Sequence, residues 1–216
     1  MAFGAGRVIA PYRQPGLRAR AYMHVRWWIC PFDRVLPLVP DEGRVLDVGC
    51  GSGLWLTYLA LERPKLSLHG IDPDERKLAL AGTSTAGSLE LRQGSIADVP
   101  AASFDTITIL DVLYLVPDEV KADMLRACYG ALTAGGTLVV KDADTRPWWK
   151  YAPTALEELL AVHVMRITLG RPRFQSLDAL RAAIASAGFL EVEATRIDRG
   201  YLHPHVVVRA RKPGPT

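Results

Sequence analysis

Apolar and polar positions change period repeatedly along the chain, and each change marks an element. Leu17, Ala21, Val25 and Trp28 recur at helical spacing and predict a helix from Leu17 to Cys30. Before it, Gly4, Gly6, Pro11, Pro15 and Gly16 predict a loose arm over residues 1–16. After it, Pro31, Pro37 and Pro40 restrict any further helix to short pieces. The chain then alternates. "RVLDVGC", "LSLHGID", "LELRQG", "FDTITILD" and "GGTLVVKDA" read as strands, whereas "GLWLTYLALER", "DERKLALAG" and "PDEVKADMLRACYGAL" read as helices. No clear helix follows "LELRQG". Thr154 and Glu157 form a capping box that predicts a helix to about Leu169, and Ser176 caps another ending near Gly188. The tail gives two strands, "LEVEATRID" and "HVVVRARK".

Strands alternating with helices predict an α/β fold, a parallel sheet covered by helices on both faces. The last two strands are joined by a link too short for a crossover helix, so they should pair antiparallel. No internal repeat or linker divides the chain. The expected organisation is an N-terminal arm and cap helix over residues 1–40, then one domain over residues 41–216.

Composition narrows the class. The 216 residues are 49% hydrophobic and 23% charged, as in a water-soluble globular domain. A net charge of +3 does not imply a nucleic-acid partner. No apolar run approaches the roughly 20 residues needed to cross a bilayer, and no signal-peptide core is present. Cys30, Cys50 and Cys128 are scattered, with no CxxC pair, which argues against a zinc site or disulfide framework and suits a reducing, cytoplasmic setting. Arg7, Arg13, Arg18, Arg20 and Arg26 all precede the first acidic residue, Asp33.

The chemistry is concentrated at strand ends, where open α/β sheets bind ligands. In "VLDVGCGSG", Gly49, Gly51 and Gly53 end the first strand and lead into a helix. Glycine permits positive φ and close approach of a ligand to bare backbone, and the N–H groups of a helix start favour an electron-rich group. The loop therefore reads as a wrap around a nucleotide-like cofactor; a tight turn without ligand is the alternative. The dinucleotide fingerprint G-x-G-x-x-G/A fails at Leu54, which disfavours a nicotinamide oxidoreductase. In "GIDPDE", Asp72 closes the second strand, placed to accept hydrogen bonds from two ribose hydroxyls or to cap the next helix. Asp111 ends the fourth strand, with Tyr114 three residues on. Gly135–Gly136 reads as a turn, followed by a strand ending in Lys141, Asp142 and Asp144.

Taken in order, these segments resemble the class I S-adenosylmethionine-dependent methyltransferases. "VLDVGCGSG" matches the first motif of that family, "GIDPDE" the acidic second-strand motif, "FDTITILDVLYLVPDE" the fourth-strand motif and "LTAGGTLVV" the fifth-strand turn. The resemblance covers about Arg44 to Val140. It implies a Rossmann-like three-layer sandwich whose seven-stranded sheet is parallel except for an antiparallel last strand. It also implies S-adenosylmethionine as cofactor. Asp47 and the loop Gly49, Cys50, Gly51 and Gly53 would hold its methionine part. Asp72 would hold the ribose, with Pro73 beside the adenine. Ser95 and Ile96 align with the adenine-contacting pair after the third strand, where Asp98 stands in for the family's acidic residue. Asp111 and Val112 would line the pocket. Family members with one or two histidines after the fourth strand have Tyr114 and Leu115 here as counterparts. The two-proline aromatic signature of DNA-base and glutamine methylation is absent after Asp111.

No metal is expected. Methyl transfer needs an aligned acceptor, exclusion of water and, for a hydroxyl, somewhere for a proton to go. His203, in the loop "DRGYLHPH", is the first candidate base, against the alternative of an exposed loop histidine packed on Pro204; Tyr114 is the second catalytic candidate. Trp148, Trp149 and Tyr151 could form an aromatic wall, or a lid burying its own rings. His163 reads as a packing residue. Tyr22, His24, Trp27 and Trp28 precede the first strand, where members of the family it resembles place a cap over the acceptor. That helix is expected to pack on the domain with a solvated basic edge, weak membrane-surface contact being the alternative. The expected activity is methyl transfer to oxygen or carbon of a small aromatic or apolar acceptor. The alternatives are a non-catalytic cofactor-binding scaffold and a peripheral-membrane lipid methyltransferase.

Overall fold

The computed structural model describes residues 4–146 and 173–214. The predicted Thr154 helix, His163 and the Trp148, Trp149 and Tyr151 cluster lie outside the described residues. Seven strands form one sheet: β1 (Glu42–Val48), β2 (Lys65–Asp72), β3 (Leu89–Gln93), β4 (Phe104–Leu110), β5 (Leu132–Ala143), β6 (Leu190–Arg196) and β7 (His205–Arg211). Their spatial order is β3-β2-β1-β4-β5-β7-β6. The pairs among β1 to β5 are parallel, while β7 runs antiparallel to both β5 and β6. The order reverses between β1 and β4, so the carboxyl ends of those strands open a crevice.

Seven α-helices surround the sheet among the described residues: α1 (Ala5–Ile9), α2 (Leu17–Ile29), α3 (Phe32–Val35), α4 (Leu54–Glu62), α5 (Glu75–Ala81), α6 (Asp118–Ala131) and α7 (Leu177–Ser186). Ser176 caps α7 by accepting from the Ala179 N–H at 3.2 Å. The central strands are apolar on both faces, as burial under helices on both sides requires. On one face Val45, Leu68, Val139 and Val207 pack with α1 to α4; on the other Leu46, Ile107, Leu138 and Val208 pack with α6 and α7.

Three expectations are corrected. The N-terminal arm is not loose. Ala5, Val8 and Ile9 of a short helix, and Tyr12 after it, are buried in the same core as β1; tertiary packing overrides the glycines. Second, the apolar stripe that defines α2 faces away from the core, where Leu17, Val25 and Trp28 are exposed and Met23 and Trp27 are buried instead. Third, Gly135–Gly136 lies within β5 instead of turning before it, and the pairing of β4 with β5 slips in register there. A Cβ on Gly136 would meet the Thr133 carbonyl oxygen at 2.9 Å, so the strand can continue only with glycine at that position.

Candidate functional site

The glycine loop joins β1 to α4, and its three glycines fall into two kinds. All have positive φ: 76° at Gly49, 54° at Gly51 and 71° at Gly53. A Cβ on Gly49 would lie 2.5 Å from Val112 Cγ2, and one on Gly53 would lie 2.8 Å from Ala81 Cβ. Those two glycines therefore serve packing within the protein. A Cβ on Gly51 would meet nothing within 4 Å. It would project into open space, while the Gly51 N–H is bonded to Asp72.

The loop is pinned from below and from outside. Gly49 and Cys50 both donate their N–H to the Ile71 carbonyl, at 2.8 and 3.0 Å, and Gly53 N–H donates to the Cys50 carbonyl at 2.9 Å. The Cys50 side chain is buried, its Sγ occupying the space where a Cβ on Gly70 would stand. Cys50 thus has its N–H, its carbonyl and its thiol all turned to the protein. Tyr12 donates its hydroxyl to the Ser52 carbonyl at 2.9 Å and accepts from Thr57 Oγ1 at 3.0 Å. No sequence signal singled out Tyr12; it reaches the loop because α1 packs beside α4.

Asp72 ends β2. Its Oδ2 accepts the Gly51 N–H at 2.8 Å and its Oδ1 the Asp74 N–H at 2.8 Å. The helix cap expected of it falls to Asp74, whose Oδ1 accepts the Arg76 N–H at 3.0 Å. Each Asp72 oxygen retains a lone pair for a ligand hydroxyl. Pro73 beside it is exposed, and its carbonyl accepts from Gln93 Nε2 at 3.1 Å. After β3, Ile96 is buried while Ser95 is exposed. Asp98 Oδ2 accepts both the backbone N–H and the hydroxyl of Ser95, at 3.0 and 3.2 Å. Those bonds draw its carboxyl below the usual range and commit that oxygen to a local cap.

The centre of the site is a buried charge cluster. Asp111, just past β4, sits at φ 58° with both carboxylate oxygens on Lys141 Nζ, at 2.6 and 2.7 Å. Arg26 of α2 reaches Oδ2 at 2.6 Å, and the Cys30 thiol donates to the same oxygen at 3.7 Å. Burial alone would raise Asp111, but Lys141 and then Arg26 outweigh it and hold its carboxyl well below the ordinary range. Two neighbouring carboxyls behave oppositely. Burial pushes Asp47 up to about 7, its Oδ1 accepting the Thr108 hydroxyl at 2.7 Å and Asp72 adding repulsion. Burial, then Asp111, pushes Asp142 up to about 7 as well.

Among the described residues, two buried acceptor atoms at this edge have no hydrogen-bond partner: Asp142 Oδ2 and His205 Nδ1. Asp142 Oδ1 takes the Ala143 N–H at 2.8 Å. His205 Nε2 lies 2.7 Å from the Ile29 carbonyl, which places the proton on Nε2; burial and then Lys141 push the ring down to about 2, so it is neutral. His203 is buried, not an exposed loop residue, with its ring 5.6 Å from that of His205. Tyr114 is buried and stacks on Phe174 at 4.8 Å and 16°. Among the described residues no group of His, Cys, Asp or Glu could hold a metal ion.

A family model described as "Methyltransferase domain" matches residues 20–194. The chain is 31% identical over 166 residues to demethylspheroidene O-methyltransferase of Rhodobacter capsulatus, covering 75% of this chain and 40% of that protein. It is 32% identical over 174 residues to ubiquinone biosynthesis O-methyltransferase of Xanthomonas campestris pv. campestris, covering 72% and 70%. The chain thus spans about two fifths of the first of these relatives' length. Among solved structures, the S-adenosylmethionine-dependent methyltransferase SibL superposes with TM-score 0.69 at 25% identity, over 97% of this chain and 62% of that one. Human N-acetylserotonin methyltransferase in complex with S-adenosylmethionine superposes with TM-score 0.69 at 17% identity, over 95% and 58%.

Two predictions follow the geometry. Gly51→Val should fold, at a strain cost of about 1–2 kcal/mol for a branched residue at positive φ, and should lose calorimetric binding of S-adenosylhomocysteine. Unchanged affinity would show that the open space at Gly51 is not ligand space. In the charge cluster, Asp111→Ala leaves the buried Lys141 and the partly buried Arg26 without a counter-ion and should cost about 3–5 kcal/mol in urea denaturation, whereas Arg26→Gln leaves a balanced Asp111–Lys141 pair and should cost much less. Equal costs would mean that charge balance does not govern the cluster.

Proposed function

Since the chain belongs to the methyltransferase-domain family, of the class I, S-adenosylmethionine-dependent type, we propose that it methylates the oxygen of a small, aromatic or otherwise apolar acceptor. The observation that carries the reading is the open cradle at Gly51 facing the Asp72 carboxylate. The oxygen acceptor rests on the relatives' names, both O-methyltransferases. The apolar character rests on Tyr114 and Phe174, stacked next to the strand ends.

When bound, S-adenosylmethionine supplies a methyl group on a sulfonium that is already a good leaving group. The chain's own residues then have four tasks. Asp72 holds the ribose hydroxyls through its free lone pairs. Asp47 and the backbone of the Gly49–Gly53 loop hold the methionine part, Cys50 acting through the loop conformation it fixes. Ile96 and Val112 give apolar walls, with Pro73 and Ser95 at the exposed adenine edge. Arg26 anchors the cap helix over the strand ends and excludes water, which strengthens every charge interaction inside.

Beyond these four, the proton has to be taken up. As the acceptor O–H bond breaks, its electron pair stays on oxygen and its proton needs a base. Asp142 Oδ2 is buried, unpartnered and close to neutral in affinity, which matches a base working near pH 7. His205 holds its proton too weakly to compete, and Tyr114 lies beside the cations as part of the pocket wall. His203, the other candidate base, has its ring 5.6 Å from that of His205.

The first test is calorimetric titration with S-adenosylhomocysteine, with NAD as control. Saturable binding of the former alone is expected, and its absence in folded protein would refute the reading. Asp72→Ala should weaken that binding by about 1.5–3 kcal/mol, the worth of hydrogen bonds to a charged group. The base assignment is tested by a pH profile of radiolabelled methyl transfer to a catechol panel. Asp142 accepts a proton only when ionised, so wild-type turnover should rise with pH through about 7 and then level. Asp142→Asn should lose that inflection and about 100-fold in rate. An unchanged profile in the variant would return the role to another group.

A further inference from the structure

α2 has two apolar faces. The inner face carries Met23 and Trp27 into the core and Arg26 to Asp111. The outer face carries Leu17, Ala21, Val25 and Trp28. At about 100° per residue these four fall within an arc of about 80°, opposite the buried side. Leu17 is 85% exposed, Trp28 72% and Val25 53%. Single exposed apolar residues are ordinary, but a continuous stripe on one helix face marks an interaction surface. Arg18 and Arg20 flank the stripe on its two sides, both exposed. Arg34 ties the β6–β7 loop to this corner through the Ile197 and Arg199 carbonyls, and the loop exposes Leu202 at 64%.

We propose that the outer face of α2 docks on an anionic lipid surface, lying in the plane of the interface with Leu17, Val25 and Trp28 inserted and Arg18 and Arg20 on the headgroups. Charge selects this occupant. All five charged residues among the first 32 are arginines, and the first carboxylate is Asp33. A second copy meeting the same face across a two-fold axis would bring Arg18 and Arg20 against their own kind. Anionic headgroups complement them, and tryptophan with basic flanks is the composition that interfacial helices use. Among the described residues no helix is long and apolar enough to cross a membrane, so contact through this helix is with the surface. The same helix seals the site through Arg26, so docking would turn the cap of the acceptor chamber toward the phase where apolar molecules collect. The docking itself does not depend on which acceptor is methylated.

The test is sedimentation of the whole protein with phosphatidylcholine vesicles, with and without phosphatidylglycerol. Binding is expected to the phosphatidylglycerol-containing vesicles only and to weaken with salt. The Leu17→Ser, Trp28→Ser double variant should bind at least about tenfold more weakly. The Arg18→Gln, Arg20→Gln double variant should lose about fivefold for each arginine. Full binding by either variant, or no binding by the wild type, would overturn the proposal. So would a dimer in light scattering that the Leu17/Trp28 variant dissolves, because a second copy would then cover the stripe. S-adenosylhomocysteine titration of each variant should be unchanged; since the vesicle result stands with or without that binding, the docking and methyltransferase readings fail separately.

Discussion

Asp111 joins three parts of the molecule that are far apart in the chain. Its backbone takes a left-handed conformation at the end of β4, its N–H bonds the Lys141 carbonyl, and its carboxylate binds Lys141 of β5 and Arg26 of α2. Burying one carboxylate with two cations is costly unless every group is paired in good geometry. Here the pairing fixes where β4 stops, how β5 lies beside it and where the cap helix rests.

The same cluster sets the chemistry around it. At Asp47 and Asp142 burial, with the repulsion of Asp72 and Asp111 respectively, outweighs the hydrogen bonds from Thr108 and Ala143 and the pull of Arg26 and Lys141. One carboxyl is thus held firmly charged while two others sit near the point of changing protonation. Pushing pKa values apart in this way is how one edge of a sheet can supply both a structural charge and a proton acceptor.

Much of this was legible in the sequence. Parallel strands buried on both faces read as apolar runs, and the glycine loop and Asp72 announce themselves by spacing. What was not legible has identifiable causes. A helical stripe such as Leu17, Ala21, Val25 and Trp28 states that a helix exists but not which way it faces, and Met23 and Trp27 decided that by packing. α1 is too short to carry a periodic signal and exists because Val8 and Ile9 find a core. The Arg26–Asp111 pair spans 85 residues of chain and the Lys141–Asp111 pair spans 30, and no local pattern encodes such a meeting. The unpartnered oxygen of Asp142 is a property of its surroundings, and Phe174 gave no signal at all.

The three loop glycines carry a record that can be read in other chains of this architecture. Gly49 and Gly53 answer to Val112 and Ala81, so any descendant that keeps the fold must keep them, whatever it has ceased to do. Gly51 faces open space, and beyond its backbone angle nothing within the described protein forbids a side chain there; under the proposed function the cofactor would. A lineage that drifted into a scaffold role would accumulate asparagine or aspartate at that position first, residues that tolerate the left-handed conformation, with its neighbours intact. If Gly51 holds cofactor as proposed, the middle glycine marks retained binding, and the outer two mark the fold.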